Sequence, residues 1–168
     1  DWARVYRGKR FESGELIRAE LKTRNAGDFQ GFLINTRREK FSDPRVREAL
    51  GLAFDFEWMY RQLFYSSYTR VRGYFNDSDF EAKGLPEGDE LAVLETLRGR
   101  LPASIFEQTV PVPPKTSPPD SLRGNLRKAR ALLQAAGWTY REDALRNAKG
   151  EVFAIEYLDS GGGERLFA

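Results

Sequence analysis

The sequence predicts a mixed α and β domain, α+β or α/β in class, with helices packed on a small mixed sheet. Three observations carry that expectation. Apolar runs of period two lie near both ends of the chain, and apolar runs of helical period lie between them. The 168 residues are 40% hydrophobic and 13% aromatic, enough apolar material for one sizeable core.

The first strand is expected over Glu15–Lys22, where Ile17, Ala19 and Leu21 share a face and Arg18, Glu20 and Lys22 take the other. A polar turn at Asn25–Asp28 leads to a shorter, more apolar strand at Gly31–Thr36. Ser42 and Asp43 are N-cap candidates for the next element, and Pro44 suits a first helical turn. Val46, Ala49, Leu50, Ala53 and Phe54 then follow at helical spacing. Asp55 is placed to cap a second helix over about Phe56–Tyr65, burying Met59, Leu63 and Phe64, so the pair spans 44–65. From Tyr65 to Leu85 the chain is irregular and rich in aromatic residues, which makes it an ordered loop, since rings of that size need packing partners. A third helix is expected over Glu87–Arg100, facing the core with Leu91, Leu94, Leu97 and Leu101 and ended by Pro102. Pro111, Pro113, Pro114, Pro118 and Pro119 make 108–121 an extended, polyproline-like strap.

A helix plus hairpin fills 126–158. The helix runs over Leu126–Ala136 on Leu126, Ala129, Leu133 and Ala136, with Gly137 at C′ and Trp138 just beyond it. Asp143–Asn147 and Glu151–Leu158 read as a hairpin closed around Asn147–Gly150, with Phe153, Ile155 and Tyr157 on one face. Ser160–Ala168 reads as the start of a further element. Together with a first residue, Asp1, that is not Met, this gives the expectation of a single, incomplete lobe over 1–168, a processed or excised segment.

Composition narrows the chemistry. The chain has no cysteine, hence no disulfide or thiolate nucleophile, and no histidine, the commonest general base and transition-metal ligand. Net charge is +2 with basic and acidic residues interspersed, so no basic stripe marks a nucleic-acid interface. Carboxylates remain. Asp43, Asp55 and Glu57 are the first to test for acid–base work, although Asp43 and Asp55 have ready roles as helix caps, while Asp77, Asp79 and Glu81 alternate without the later ligating glutamate of a calcium loop. Gly161–Gly163 lacks the Lys-Ser/Thr of a phosphate loop. An enzyme working through Asp77 and Asp79 stays open on these residues, as does an interaction module offering the strap at 111–119 to an aromatic groove. The segment Tyr68–Phe75 offers the other candidate site. Arg70 and Arg72 can clamp a carboxylate, and Tyr68 and Tyr74 present flat surface with a hydroxyl. The competing account packs the rings on the helix pair and turns the arginines to solvent.

The run Gly31–Trp58, with its strand ending in Asn-Thr, its Phe41-Ser-Asp-Pro-Arg-Val-Arg-Glu-Ala49 block and Ala53-Phe-Asp55, resembles the signature of the family 5 extracytoplasmic solute-binding proteins. Ala129–Trp138 resembles the same family's Ala-x-x-Leu-Leu-x-x-Ala-Gly-Trp helix, in the correct order. Phe54–Trp58, Leu63–Tyr65, Tyr74–Ser78, Gly84–Pro86 and Asp89–Ala92 resemble its YejA-type oligopeptide-binding branch.

The resemblance implies a type II periplasmic-binding-protein-like fold. This chain would be part of the C-terminal lobe, entered through strands near the hinge at 15–36. It implies no chemical step and no cofactor or metal. The parent protein would be periplasmic or extracytoplasmic, would hold a peptide or peptide-like solute between lobes, and would pass it to an ABC transporter permease. By position, the loop bearing Tyr68, Arg70, Arg72 and Tyr74 would approach the ligand, and one lobe alone would bind weakly or not at all.

Overall fold

The structure, a computed structural model, describes residues 7–17, 19, 21, 31–66 and 68–158. The chain forms two compact units, Asp1–Phe32 with Asp55–Thr116, and Leu33–Phe54 with Ser117–Ala168.

The second unit contains the best-buried core among the described residues. Helix α2 (Glu39–Ser42) leads directly into α3 (Pro44–Ala53). Asp43 caps α3, its side chain accepting from the Arg45 N–H, and Pro44 occupies the first helical position, where a missing N–H costs nothing. Ser42 ends α2 instead of capping α3. The Arg47 guanidinium donates to the Phe41 and Ser42 carbonyls, both at 2.7 Å, and so satisfies two acceptors that the end of α2 leaves open. Helix α7 (Leu122–Ala135) packs on α3. Ala49, Leu52 and Ala129 are buried at the contact, with Leu132 and Leu133 against them. The small alanines let the two helix backbones approach.

Helix α7 starts four residues before the expected Leu126, because Ser121 caps it by accepting from the Gly124 N–H at 3.1 Å. Gly124 leaves room for that cap, since a Cβ there would meet the Ser121 hydroxyl at 3.1 Å. With this phase Asn125 is buried and Leu126 is exposed. At the other end the sequence expectation holds. Gly137 has φ 87, its N–H donates to the Gln134 carbonyl, and the Trp138 N–H donates to the Leu133 carbonyl at 2.8 Å, the Schellman arrangement.

Among the described residues the sheet is not mixed. It consists of two antiparallel strands, β1 (Thr139–Arg141) and β2 (Ala144–Arg146), with Tyr140 opposite Leu145. Its turn is Glu142-Asp143, both with positive φ as a type I′ turn requires. This ladder precedes the predicted hairpin. Asn147–Gly150 reverses the chain as expected, Asn147 Oδ1 accepting from the Lys149 and Glu151 N–H groups, and a short antiparallel pairing follows: the Asn147 N–H donates to the Glu151 carbonyl at 3.1 Å and the Phe153 N–H to the Leu145 carbonyl at 2.7 Å, on either side of a bridge from Val152 to Arg146. Phe153 is nonetheless well placed, edge-on to Trp138 at 4.8 Å and to Phe41 at 6.0 Å. Gly31–Thr36 forms no ladder, and Leu33 is 87% exposed. A strand is defined by its partner, and none lies beside this run among the described residues.

The first unit contains α1 (Lys9–Glu12), α4 (Phe56–Gln62), α5 (Gly88–Glu95), a 3₁₀ turn at Arg98–Arg100 and α6 (Ser104–Glu107). Asp55 caps α4 as expected, accepting from the Trp58 N–H at 3.1 Å. Helix α4 ends at Gln62, short of Tyr65, where Tyr65 and Ser66 take positive φ. The expected helix over Glu87–Arg100 breaks after Glu95, yet Leu91, Leu94, Leu97 and Leu101 are each half-buried. Arg98 pairs with Glu95 at 2.5 Å and lies over the Phe106 ring at 4.0 Å. Ile17, at 84% exposure, and Leu21 are open to solvent, and Glu15–Ile17, Ala19 and Leu21 show no ladder. Arg18, Glu20 and Lys22, the turn at 25–28 and the run 160–168 lie outside the described residues.

Candidate functional site

The loop after α4 divides its four candidate residues between three settings. Tyr68 meets the Phe64 ring edge-on at 5.0 Å and is otherwise largely exposed. Arg70 turns inward. It donates through Nη1 to the Pro114 carbonyl, stands 3.9 Å from Glu57 and lies over the Phe56 ring at 5.1 Å. The strap is held here by a second residue. Thr116 donates its N–H to Glu57 Oε2 at 3.0 Å, and its hydroxyl lies between Glu57 Oε2, at 2.6 Å, and Asp55 Oδ1. Burial pushes the Glu57 carboxyl up, but the Thr116 hydroxyl and N–H, with Arg70 nearby, outweigh it and hold the group below the usual glutamate range. Burial likewise lowers Arg70, with Glu57 opposing. Asp55, Glu57 and Thr116 thus form a clasp that closes the strap over the start of α4; the sequence marked Asp55 as a cap and both carboxylates as acid–base candidates, but did not point to Thr116.

Arg72 and Tyr74 come together, on a shallow concavity of about 100 Å³ that Phe75, Asn76, Phe80 and Glu81 also line. Arg72 is 58% exposed at its side chain and bonds Glu81 at 3.1 Å. Tyr74 is 72% exposed. Asn76 is buried and accepts the Arg72 N–H through Oδ1 at 3.1 Å, which closes the loop on itself. Glu81 also accepts from the Asp77 N–H at 3.2 Å and has Lys83 at 3.9 Å. The Phe75 and Phe80 rings form the wall, edge to face at 6.2 Å. Sequence reading missed Asn76 and Phe80 as lining residues. The available signal was the density of rings and amides around Gly73, not any spacing. Among the described residues no three of Asp, Glu, His or Cys are grouped to hold a metal ion.

A second concavity of about 350 Å³ lies in the other unit, on the α3–α7 pair. It is lined by apolar side chains such as Leu50, Leu133 and Leu145, with Tyr140 and Leu126 exposed at its edge. Nothing in it is arranged for acid–base or nucleophilic chemistry. Among the described residues no helix is long and apolar enough to cross a membrane.

A family model for bacterial extracellular solute-binding proteins, family 5 (middle), matches residues 1–166. The chain is 38% identical over 159 residues to an uncharacterized protein, YejA, of Escherichia coli K12, covering 94% of this chain and 26% of that protein. It is 37% identical over 168 residues to the probable peptide-binding protein YejA of Agrobacterium fabrum, covering 98% of this chain and 27% of that one. It is also 29% identical over 158 residues to the peptidoglycan-binding protein YepA of the same organism, again covering 94% of this chain and 26% of the relative. The chain therefore spans about a quarter of the length of these relatives.

Proposed function

We propose a solute-binding role for this chain, which belongs to the bacterial extracellular solute-binding proteins of family 5. In this reading it supplies part of the C-terminal lobe of a longer extracytoplasmic polypeptide. That polypeptide traps peptides or peptide-like solutes between its lobes and delivers them to the permease of an ABC importer. The observation that carries the reading is the family match over residues 1–166, joined by a relative named for peptide binding that aligns over 98% of the chain. The family is one of binding proteins, so ligand is expected to saturate the protein without being converted.

The loop bearing Tyr68, Arg70, Arg72 and Tyr74 is the proposed ligand-contacting segment. Tyr68 and Tyr74 offer exposed ring surface, and Arg72 offers a guanidinium with one arm on Glu81. Arg70, fixed to Pro114 and beside Glu57, orders the loop from behind. The strap's attachment through Pro114 and Thr116 favours a structural role for 108–121 over its use as a free ligand for a partner's groove.

A thermal-shift screen of the longer polypeptide tests the reading, against di- to deca-peptides, a sugar panel and divalent metals. A ligand bound to the folded state raises Tm with its concentration. Peptides are expected to do so. A shift from sugars alone would leave the family intact and remove the peptide assignment. Peptide cleavage or modification by the protein would remove the binding-protein reading altogether.

A further inference from the structure

Basic and acidic residues are interspersed over the chain as a whole, but α7 departs from that pattern. From Ser121 to Arg141 there is no aspartate or glutamate, while Arg123, Arg127, Lys128 and Arg130 all fall on the helix. Arg123, Arg127 and Arg130 follow one another at i, i+4 and i+7, which sets them in a single row along one side of α7. All three are exposed, and none makes a salt bridge or side-chain hydrogen bond among the described residues.

Helix stability does not explain the row. Like charges at these spacings repel, and Arg123 lies in the first turn, where the helix dipole favours an anion. Other arginines of this unit are compensated. Arg45 bonds Asp43, Arg47 bonds the Phe41 and Ser42 carbonyls, and Arg146 stands 3.6 Å from Glu142.

The row runs beside the apolar concavity of about 350 Å³ on α3 and α7. Arg130 lines it together with Leu126 and Leu133 of the same helix. Leu50 of α3 and Tyr140 and Leu145 of the hairpin extend the apolar surface, and Leu126 and Tyr140 stand 47% and 61% exposed. Glu48, the one carboxylate on α3, is set about 160° round that helix from Leu50. Asp120 before the cap and Glu142 and Asp143 of the turn do not line the concavity either. An apolar depression edged by cations and not by anions complements a surface whose apolar side chains are flanked by carboxylates. The row extends about 10 Å along α7, too far for a single carboxylate and suited to a succession of them. A helix offers such a succession at the same spacing.

We infer that the α3–α7 face docks an amphipathic helix of a partner protein. The partner's apolar side chains enter the concavity, and a row of its glutamates or aspartates meets Arg123, Arg127 and Arg130. The contact uses no residue of the loop at 68–75 and does not depend on the peptide reading.

The test uses the longer polypeptide and the fluorescence anisotropy of a labelled helical peptide of about 18 residues, with leucine along one face and glutamate beside it. A twin carries glutamine for every glutamate. The glutamate peptide is expected to bind at least about tenfold more tightly than its twin, and more weakly as salt rises. The triple variant Arg123→Gln, Arg127→Gln, Arg130→Gln is expected to lose that advantage, and Leu126→Gln to weaken both peptides. All these positions are exposed, so the melting temperature is expected to hold; Arg130→Gln alone carries the test if the triple variant does not fold. Equal affinity for the two peptides, or equal affinity of the parent and the arginine variants, would overturn the docking surface. So would no binding of the glutamate peptide, which would mean that the longer polypeptide fills the concavity itself. Binding to equimolar phosphatidylcholine–phosphatidylglycerol vesicles that the glutamate peptide does not displace, and that the triple variant loses, would overturn it in favour of a membrane surface.

Discussion

Thr116 has one hydroxyl proton and two carboxylates that could accept it. Its Oγ1 is 2.6 Å from Glu57 and also bonds Asp55, which already caps α4. Replacing Thr116 by Val keeps the shape and the N–H to Glu57 but deletes this shared donor. The expected cost is about 1–2 kcal/mol, since hydrogen bonds to charged groups stand at the upper end of the usual range. Chemical denaturation of the variant checks it, and a loss below a few tenths would mean that the hydroxyl contributes nothing to holding the strap. The same clasp has a pH signature. Glu57 titrates below its ordinary value in the folded chain, so its contribution is fully present above about pH 4.3 and is lost as pH falls through the lowered folded value. Asp43 and Glu95 are lowered too, by hydrogen bonds from Arg45 and Arg98, but those pairs are exposed and screened. Glu57→Gln is therefore expected to flatten the acid limb of a Tm-against-pH curve. An acid limb as steep as the parent's would assign that stability elsewhere.

Helix ends are the scale at which the sequence is most legible, because capping is local chemistry. Asp43 with Pro44, Asp55, and Gly137 with Trp138 each act where their residue types direct. Substituting Gly137 by Ala forces a Cβ into φ 87 and is expected to cost about 1–2 kcal/mol. Ser121→Ala should cost about 1 kcal/mol by removing the acceptor of the Gly124 N–H. Both are measured by urea denaturation, and neutrality of either would remove the corresponding cap. What failed was non-local or unusual. The β1–β2 turn uses Glu142-Asp143, a pair without glycine or asparagine, so it gave no turn signal, whereas the legible signal at Asn147–Gly150 does carry a short pairing. Gly31–Thr36 has strand composition but pairs with nothing described, since pairing is a property of two segments. The signature block illustrates a different limit. Its Asp43–Arg45 pair, buried Val46 and Arg47 bonds to the Phe41 and Ser42 carbonyls build a corner of the fold. A motif that identifies the family need not mark where ligand sits. The candidate loop was legible as a concentration of rings and arginines, but the separation of Arg70 from Arg72 depended on Pro114 and Glu81, which no spacing encodes.

Over the whole chain, apolar residues that composition assigns to a core stand in solvent. Leu33, Ile17, Leu21 and Phe32 are exposed, while Phe41, Val46, Ala49, Leu52 and Ala129 are the buried apolar side chains among the described residues. The relatives are about four times longer, which motivates a prediction that separates chain from parent. If 31–36 pairs with other segments of a longer polypeptide, Leu33→Asp should leave the isolated chain's stability unchanged within about 0.5 kcal/mol, as surface substitutions do. In the longer polypeptide the same change would bury a charge beside a strand and cost about 3 kcal/mol or more. Paired denaturation curves of the two proteins decide between these outcomes. Peptide affinity should divide them in the same direction. A site completed by another lobe loses its enclosure when that lobe is absent, so the isolated chain is expected to bind at least about a hundredfold more weakly. Equal tolerance of Leu33→Asp in both proteins, together with equal affinity, would mean that 1–168 is a self-sufficient binding unit and that its exposed apolar residues serve some other contact.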